Sequence, residues 1–402
     1  MTLSLSTRAQ EMPASPIRKL VPFALEAKAR GLTVHHLNIG QPDVLSPPEA
    51  LSALKAFASE VIAYSHSQGE AEYLDALLHF YKEQGFDLQQ SNINVTVGGS
   101  EALVFAFMVT MNPGDEIIIP EPFYTNYNAF AKVAGVKISP ITTYGHNGFH
   151  LPPREEIEAR ITERTRAILL CNPNNPTGTV YTNAELEMVA DIVEQNNLFL
   201  ISDEVYREFA FRPEPNRIHS ALKLDSIRDR VLVVDSVSKR FSMCGARIGC
   251  LISRNEQVME AVLKLAQARL SSPQVEQVMA MEAHRHYSAY IDDVMDEYKK
   301  RRDIVYNGLL AMEGVEVTEP EGAFYIIPRF PISDSEHFAR WLLTDFSDNG
   351  ETVMVAPAPG FYASEGLGGN EIRIAYVLDQ ERLQRSMELL DKALSVYPQS
   401  LR

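Results

Sequence analysis

The chain has 402 residues, of which 45% are hydrophobic and 22% are charged, as in ordinary globular proteins. This length is enough to bury a large core without disulfides or metals, so a small disulfide-stapled scaffold is excluded. The 37 basic and 53 acidic residues give a formal net charge of −16, which argues against nucleic acids and anionic membrane surfaces as partners.

The three cysteines, Cys171, Cys244 and Cys250, have no paired spacing, which indicates reduced thiols. No cluster of cysteines and histidines has the spacing of a metal site. The first 20 residues lack the apolar core of a secretory signal, and no run of about 20 apolar residues would span a membrane. We therefore expect a cytoplasmic protein with no metal and no membrane contact.

A helix is expected first, over residues 17–30, followed by a short apolar strand. From about residue 90 to 255, short β-rich apolar runs alternate with helical stretches. This alternation predicts an α/β fold, with a mainly parallel seven-stranded sheet covered by helices. The predicted strands are Asn94–Val97, Glu116–Ile119, Val136–Pro140, Ala167–Cys171, Leu198–Asp203, Val231–Asp235 and Ile248–Ser253. Predicted helices between them are Ser100–Met111, Tyr124–Ala134 and Asn183–Gln195.

Residues 256–312 are almost entirely helical in composition, and one long helix, Tyr287–Met312, is predicted to connect two domains. The elements beyond it predict a smaller α+β domain. They are the strand Phe324–Ile327, the helix Ser335–Phe346, the strands Val353–Ala356 and Glu371–Tyr376, and the helix Gln380–Val396.

Ligands of open α/β sheets bind beyond the carboxyl ends of the strands, so the residues that follow each strand are candidates for a site. Gly98-Gly99-Ser100-Glu101 follows the first strand and opens a helix. Glycines let a backbone approach a phosphate, and a helix N-terminus favours an anion. Taken alone, this motif is better explained by a tight turn with Ser100 as the helix N-cap.

Two further strand ends carry polar motifs. Asn172–Gly178 is a rigid turn, with two prolines and three asparagines whose amides could donate to a ligand. An ordinary loop is the alternative. Asp203 ends a buried strand, where an ionised carboxylate needs a positive partner, although it could also cap the next short helix.

The last two candidates are cationic. Asp235-Ser236-Val237-Ser238-Lys239-Arg240 follows another strand, and Arg247 lies close behind it between glycines. Lysine forms Schiff bases, so this turn is either a reactive lysine beside an anion site or a solvated basic turn. Arg373 lies in an alternating strand and is either a surface residue or a clamp for a carboxylate.

Taken together, these motifs match one ligand, a phosphorylated pyridine aldehyde joined to an amino acid. The lysine would form the imine, and the carboxylate would protonate the ring nitrogen so that the ring becomes an electron sink. Serines and Arg247 would hold the phosphate. Arg373 would bind the α-carboxylate as a bidentate fork.

The sequence resembles the class I/II aminotransferases, which are fold-type I enzymes dependent on pyridoxal phosphate. The resemblance runs from LNIGQPD to NEIRIAYV, and CNPNNPTG, SDEVY and SVSKRFSMCGARIG carry it most specifically. It implies that the first 45 residues join the small domain and close over the substrate. The predicted domains are therefore residues 46–290 and residues 1–45 with 291–402.

The resemblance also assigns roles. Lys239, Asp203 and Tyr206 are the catalytic residues: Lys239 binds the cofactor and moves the substrate proton, and Asp203 pairs with the ring nitrogen. Asn175 and Tyr206 hydrogen-bond the ring hydroxyl oxygen, and Tyr124, rather than Phe123, stacks on the ring. The residues implied for the phosphate are Gly99, Ser100, Ser236, Ser238 and Arg247, with Tyr64 reaching the phosphate of a neighbouring subunit. The residues implied for the substrate carboxylate are Gly40, Asn175 and Arg373.

The implied activity is ping-pong transfer of an amino group from an L-amino acid to a 2-oxo acid by a homodimer with shared active sites. The chain departs from the family where Gly245-Ala246-Arg247 replaces the common Gly-Trp-Arg. Ser100 stands where many aspartate-type members have a lysine, so aspartate with 2-oxoglutarate would need another cation, such as Arg18. Aromatic or aliphatic substrates, a β-C–S lyase and a non-enzymatic regulator are the alternatives.

Overall fold

The computed structural model describes residues 3–13, 15–211 and 220–401. The predicted domains also contain residues 1, 2, 14, 212–219 and 402, which lie outside the described residues. The strands are β1 Thr33–His36, β2 Ile93–Thr96, β3 Glu116–Glu121, β4 Lys137–Thr142, β5 Thr165–Cys171, β6 Phe199–Asp203, β7 Val231–Ser236, β8 Gly249–Ile252, β9 Tyr325–Ile326, β10 Glu351–Met354, β11 Ala356–Pro357 and β12 Ile372–Ala375.

The α-helices alternate with these strands in the first two thirds of the chain and dominate afterwards. They are α1 Thr7–Gln10, α2 Val21–Ala29, α3 Pro48–Ala56, α4 Ala71–Glu83, α5 Gly98–Thr110, α6 Asn126–Ala134, α7 Arg154–Glu158, α8 Asn183–Gln195, α9 Val237–Arg240, α10 Glu256–Arg269, α11 Gln274–Arg285, α12 Tyr287–Leu310, α13 Ser335–Thr344 and α14 Gln380–Val396. Among the described residues, no helix is long and apolar enough to cross a membrane.

The main sheet has seven strands within the described ranges, in the order β2-β8-β7-β6-β5-β3-β4. The pairs from β7 through β6, β5 and β3 to β4 are parallel, whereas β8 runs antiparallel to both β2 and β7. The predicted α/β class and the mainly parallel sheet are therefore confirmed. The last five residues of β5, Ala167–Cys171, are all buried, which explains why this run is continuously apolar rather than alternating.

The local signals that fix these elements are visible at α8. The Thr182 hydroxyl accepts a hydrogen bond from the Glu185 amide at 3.1 Å, and the Glu185 carboxylate accepts one from the Thr182 amide at 2.7 Å. This capping box satisfies two amides that the first helical turn leaves free. The helix therefore begins and ends where the sequence predicted it, at Asn183 and Gln195.

Several predicted bounds are shifted. The predicted helix over residues 17–30 divides into a 3₁₀ turn, Arg18–Leu20, and α2, because Pro22 fits only the first turn of an α-helix. The helix predicted from Ser100 begins two residues earlier, at Gly98. The N-cap is Val97, so the alternative that made Ser100 the N-cap is wrong.

The two ends of the chain meet in space. β1 pairs in parallel with β10, and β9, β12 and β11 form a separate antiparallel sheet. Helix α2 packs against β1 and α13, and the long α12 packs against α14. These contacts join the N-terminal segment to the C-terminal elements, while the domain boundaries at residues 45/46 and 290/291 stay a prediction.

Candidate active site

A cavity of about 520 Å³ lies at the carboxyl ends of the parallel strands, where open α/β sheets bind ligands. The last residues of β5, β6 and β7 line it, together with the first turn of α5 and the loop after β1. The structure brings almost all predicted site residues together there. They are Gly40, Gly99, Ser100, Tyr124, Asn175, Asp203, Tyr206, Ser236, Ser238, Lys239, Arg247 and Arg373.

Lys239 lies in the short helix α9, directly after β7, and its side chain points into the cavity. Its Nζ donates a hydrogen bond to the Gly40 carbonyl oxygen at 2.7 Å and lies 3.9 Å from the Cys244 sulfur. Gly40 has no room for a side chain, because an added Cβ would fall within 2.5 Å of the Tyr325 ring. The sequence alternative of a solvated basic turn is wrong for Lys239, which is partly buried inside the site.

Asp203 ends β6 at the floor of the cavity and is 4% exposed. Its Oδ2 accepts a hydrogen bond from the Tyr127 hydroxyl at 2.7 Å. Burial raises the pKa of Asp203 to about 6, against the opposing effect of that hydrogen bond. Asp203 forms no ion pair with another described residue, so the described part of the chain does not supply the positive partner that a buried carboxylate requires.

The residues predicted for a phosphate form a cup between β7 and the first turn of α5. The Ser236 hydroxyl donates to Ser238 Oγ at 2.8 Å, and Arg247 Nη1 donates to Ser238 Oγ at 3.4 Å. Glu101 accepts a hydrogen bond from the N-cap amide of Val97 at 2.8 Å, but among the described residues no side chain accepts one from the Gly99 or Ser100 amide, so these two amides are available to a ligand. A Cβ on Gly98 would lie 2.4 Å from Arg247 Nη2, which explains the glycine at this position.

Arg373 lies on β12 and is 2% exposed, so it is not the surface residue of the sequence alternative. Its Nη1 donates to Asn175 Oδ1 at 3.2 Å and its Nη2 to the Asn38 carbonyl oxygen at 2.5 Å. Its Nε has no hydrogen-bond partner among the described residues, and burial lowers the pKa of the guanidinium. In the described part of the chain, no carboxylate pairs with Arg373, so this cation is open to an anionic ligand.

In the asparagine turn after β5, two asparagines stabilise the loop itself and a third faces the cavity. Asn172 and Asn174 hold the turn, through hydrogen bonds to the Tyr181 amide at 3.0 Å and the Thr177 amide at 3.2 Å. Asn175 instead faces the cavity, where its Nδ2 lies 3.5 Å from the Tyr206 hydroxyl. A single residue of the turn is therefore available to a ligand.

The two aromatic candidates after β3 differ in position. Tyr124 lines the cavity and receives a hydrogen bond from Asn126 Nδ2 at 2.8 Å, and burial raises its pKa to about 12. Phe123 is 1% exposed and packs in the hydrophobic core. The preference for Tyr124 over Phe123 as a wall of the site agrees with this geometry.

Tyr64 is the one predicted site residue that the structure does not bring to the cavity. Its side chain is 80% exposed, and it lies in a segment that also exposes Leu45, Val61 and Ile62. Its predicted role requires a neighbouring subunit, so the position of Tyr64 in a single chain leaves that role a prediction.

Sequence reasoning missed several residues of the site. Tyr325 contacts the Tyr206 hydroxyl at 2.9 Å, and its ring centre lies 4.7 Å from the Arg373 guanidinium. Tyr127 positions Asp203, and Asn38 positions Arg373. Tyr325 lay inside a predicted strand and Tyr127 inside a predicted helix. Asn38 belongs to LNIGQPD, but it contacts Arg373 through its backbone carbonyl, so only the fold reveals the three contacts.

The comparisons with known proteins agree with this geometry. The family described as aminotransferase class I and II matches residues 33–390. An aspartate aminotransferase of Pyrococcus horikoshii is 32% identical, with 94% of each chain covered. An aromatic-amino-acid aminotransferase of Thermococcus litoralis is 31% identical, with 98% of each chain covered.

A solved structure of a Thermus thermophilus aspartate aminotransferase mutant is 28% identical and superimposes with a TM-score of 0.88, covering 98% of this chain and 100% of that one. The sequence match, the shared fold and the cavity lead to the same conclusion. The chain belongs to the class I and II aminotransferases, a family of pyridoxal-phosphate-dependent enzymes.

Proposed function

We propose that the chain binds pyridoxal phosphate in the cavity and transfers an amino group from an L-amino acid to a 2-oxo acid by a ping-pong mechanism. One observation carries this proposal. The cavity holds a lysine beside two buried charged groups, Asp203 and Arg373, and the exposed Arg247, and none of these three forms an ion pair with another described residue. Such groups require a ligand of complementary charge.

The residues fit the cofactor. Its phosphate matches the cup of Ser236, Ser238 and Arg247, where Gly98 and Gly99 leave the backbone accessible. Its ring nitrogen is the cation that Asp203 lacks, and Tyr124 offers a ring face in the wall of the site. Gly99 and Ser100 would add backbone amides to the phosphate site.

Each side chain then has a distinct task. When bound, pyridoxal phosphate supplies an electron sink for the charge that develops at the substrate α-carbon. Lys239 would hold the cofactor through Nζ, and the same amine, when released by the substrate, would carry the α proton. Asp203 would hold a proton on the ring nitrogen, and Asn175 and Tyr206 would donate hydrogen bonds to the ring hydroxyl oxygen.

The substrate carboxylate would bind Arg373, because a guanidinium and a carboxylate form two parallel hydrogen bonds. Asn175 and Gly40 lie beside it and would complete this site. Burial between Tyr325 and Phe361, whose ring centres lie 4.7 and 4.9 Å from the guanidinium carbon, holds Arg373 in one orientation and excludes water.

We propose aspartate and 2-oxoglutarate as the leading substrates, with Arg18 as the cation for the second carboxylate. Arg18 lines the cavity, is exposed, and has no ion-pair partner among the residues that the structure describes. Ile17, Val21, Ile39 and Leu103 also line the cavity and would favour an aromatic or aliphatic side chain instead. The alternative is therefore an aminotransferase for those amino acids.

We also propose that the enzyme is a cytoplasmic homodimer with shared active sites. The segment around Tyr64 exposes large apolar side chains, which in a stable protein usually mark a contact surface. A second copy would cover them and bring Tyr64 to the phosphate of its partner. A fully active monomer in sedimentation analysis would contradict this assembly.

An absorption spectrum of the cofactor-loaded protein, before and after L-aspartate alone, tests the function. Loss of the visible band in favour of the aminated cofactor, with oxaloacetate released and no ammonia, is expected. A band that persists with aspartate but is lost with aromatic or aliphatic amino acids would transfer the proposal to those substrates. Release of ammonia, pyruvate and a thiol from an amino acid with a β-thioether would instead identify a β-C–S lyase, and a band unchanged by every amino acid would refute amino transfer.

A further inference from the structure

A group of buried polar and charged side chains lies directly behind the cavity. It consists of Tyr81, Arg207, Glu208, Asp235, Arg240 and His284, which we call the buried ion cluster. Each of them is at most 4% exposed. Asp235 and Arg240 belong to the motif that also contains Lys239, whereas the other four were not predicted as site residues, and none of the six lines the cavity.

The charges of the cluster are paired at short range. Arg240 Nη2 donates to both carboxylate oxygens of Asp235, at 2.8 and 2.7 Å, and lies 3.0 Å from Glu208 Oε1. Arg207 Nη2 donates to Glu208 Oε1 at 3.2 Å and to Asp235 Oδ2 at 3.4 Å. Two cations therefore face two anions, and Glu204 borders the group with its Oε2 3.5 Å from Arg207 Nη1.

Neutral groups complete the cluster. The Tyr81 hydroxyl donates to Asp235 Oδ2. His284 donates from Nδ1 to the Ala280 carbonyl oxygen at 2.8 Å and accepts from Arg240 at Nε2, at 3.5 Å. Burial and the nearby Arg240 lower the pKa of His284 to about 3, so the imidazole is neutral at physiological pH.

The cluster is connected to the cavity through the backbone, residue by residue. Arg240 follows Lys239, Asp235 precedes Ser236, and Arg207 follows Tyr206. In each pair one side chain lines the cavity and its neighbour lies in the cluster. The ion pairs between Arg240, Asp235 and Arg207 thus tie together the turns that carry the lysine, the phosphate cup and the ring-binding tyrosine.

We propose that Arg240 is a positioning residue for amino transfer: it fixes the turn that carries Lys239 against the ends of β6 and β7, and it neutralises Asp235 beneath the site. This inference rests on the proposed function. Packing alone does not explain the cluster, because apolar residues of similar volume stabilise a buried site as well as or better than ion pairs do.

Electrostatics supports a role beyond packing. Burial alone would raise the pKa of Asp235, but Arg240 and Arg207 hold that pKa at about 2, so Asp235 is ionised. The pKa of Asp203 depends first on burial and then on its two hydrogen-bond donors. The next influence is the charge of Asp235, which raises the pKa of Asp203, and Lys239 lowers it. Removal of Arg240 would leave the charge of Asp235 less compensated and favour the protonated form of the groups in the cavity.

The test compares Arg240→Met and Arg240→Lys with Arg302→Met in the cofactor-loaded enzyme. Arg302 is a matched control, because it is 7% exposed and pairs with Asp303 and Glu319 at 2.6 and 2.8 Å, but does not line the cavity. The measurements are kcat, KM, thermal unfolding, and the pH midpoint of the visible absorption band. Tyr127, Tyr206, Cys244 and Arg247, which also face Lys239 or Asp203, are unchanged in every variant.

For Arg240→Met we expect kcat to fall about ten- to a hundredfold with a smaller change in KM, since small displacements of reacting groups have effects of this size. The pH midpoint should rise by about half a unit or more. Arg240→Lys should restore the midpoint but not the full kcat, because lysine keeps the charge and loses the two-oxygen contact with Asp235. Arg302→Met should lower stability alone.

An Arg240→Met enzyme with unchanged kcat and midpoint would overturn the proposal, as would the same kinetic changes in Arg302→Met. If Arg240→Met does not fold, Arg240→Lys tests the proposal instead. A kcat of Arg240→Lys equal to that of the wild type would refute the positioning role. A wild-type enzyme that shows the band but transfers no amino group would refute the proposed function, while the midpoints would still test the role of Arg240.

Discussion

The cavity and the buried ion cluster lie next to each other, and they differ in whether their buried charges are paired. In the cluster, Arg207, Arg240, Asp235 and Glu208 pair with one another within about the length of a hydrogen bond. In the cavity, none of the buried charges forms an ion pair with another described side chain. Paired buried charges hold the fold, whereas unpaired buried charges indicate where a charged ligand binds.

The largest loss of activity should follow from Lys239→Ala. Of the charged residues in the cavity and the cluster, Lys239 alone is proposed both to bond the cofactor and to carry a proton. We expect the turnover number to fall by at least about a thousandfold. Lys264→Ala is the control, because Lys264 is exposed on α10 and outside the cavity. A Lys239→Ala protein that transaminated normally would remove the basis of the proposed function.

Replacing Asp203 or Asp235 by asparagine should change the free energy of unfolding in opposite directions. Asp203 has a folded pKa of about 6, above its ordinary value of 3.8, so its ionisation destabilises the cofactor-free protein progressively from pH 4 to 6 and fully above pH 6. Asp203→Asn should therefore stabilise the cofactor-free protein at pH 7.5 by up to about 3 kcal/mol, although it should weaken cofactor binding.

Asp235 has a folded pKa of about 2, below 3.8, so its ionised form stabilises the fold above pH 4 and that contribution is lost as the pH falls through 2. Asp235→Asn should destabilise the protein at pH 7.5. Thermal unfolding of both variants at pH 7.5 and 3.5 measures the contrast. Equal signs for the two variants would show that the distinction between cavity and cluster is mistaken.

Arg373→Ala should chiefly weaken substrate binding. Loss of a charged hydrogen-bonding partner has an effect of about 1.5–3 kcal/mol, or roughly ten- to 150-fold in apparent affinity. Arg329→Ala is the matched control, because Arg329 is an exposed arginine that pairs with Glu316 outside the cavity. Steady-state KM for the amino acid measures the effect, and an unchanged KM would show that Arg373 does not bind the carboxylate.

The smallest effect is expected for Tyr206→Phe, which removes one neutral hydroxyl from the ring-binding group. A single hydrogen bond of this kind contributes about 0.5–1.5 kcal/mol, so kcat/KM should fall no more than about tenfold. Tyr298→Phe is the control, since the buried Tyr298 hydroxyl has no hydrogen-bond partner in the described structure. A larger loss for Tyr298→Phe than for Tyr206→Phe would contradict the assignment.

The sequence predicted the sheet and most of the cavity because strand ends meet at one edge of a parallel sheet. Lys239 and Asn175 each follow a strand and Asp203 ends one, and this placement brings them together. The buried ion cluster was not predictable in this way. Arg240 looked like part of a basic turn. Its partner Asp235 is near in sequence, but the other members of the cluster come from α4, α11 and the turn after β6, so the full cluster depends on long-range packing.

The direction in which a side chain points was a second feature that the sequence could not predict. Arg373 alternates with Ile372 and Ile374, but periodicity cannot tell which face is covered when both are buried. Tyr64 shows the same limit at the level of assembly, because a single chain leaves it exposed. Tyr325 was hidden within an apolar strand, and only the antiparallel pairing of β9 with β12 places it beside Arg373.

The most direct test of the central claim is to reduce the cofactor-loaded protein with borohydride and to identify the modified residue by peptide mass spectrometry. The reaction makes permanent the bond between the cofactor and the amine that holds it. The proposed site predicts modification of Lys239 alone, and none in Lys239→Ala. Modification of a different lysine, or an unmodified protein that nevertheless transaminates, would contradict the assignment of this cavity as the active site.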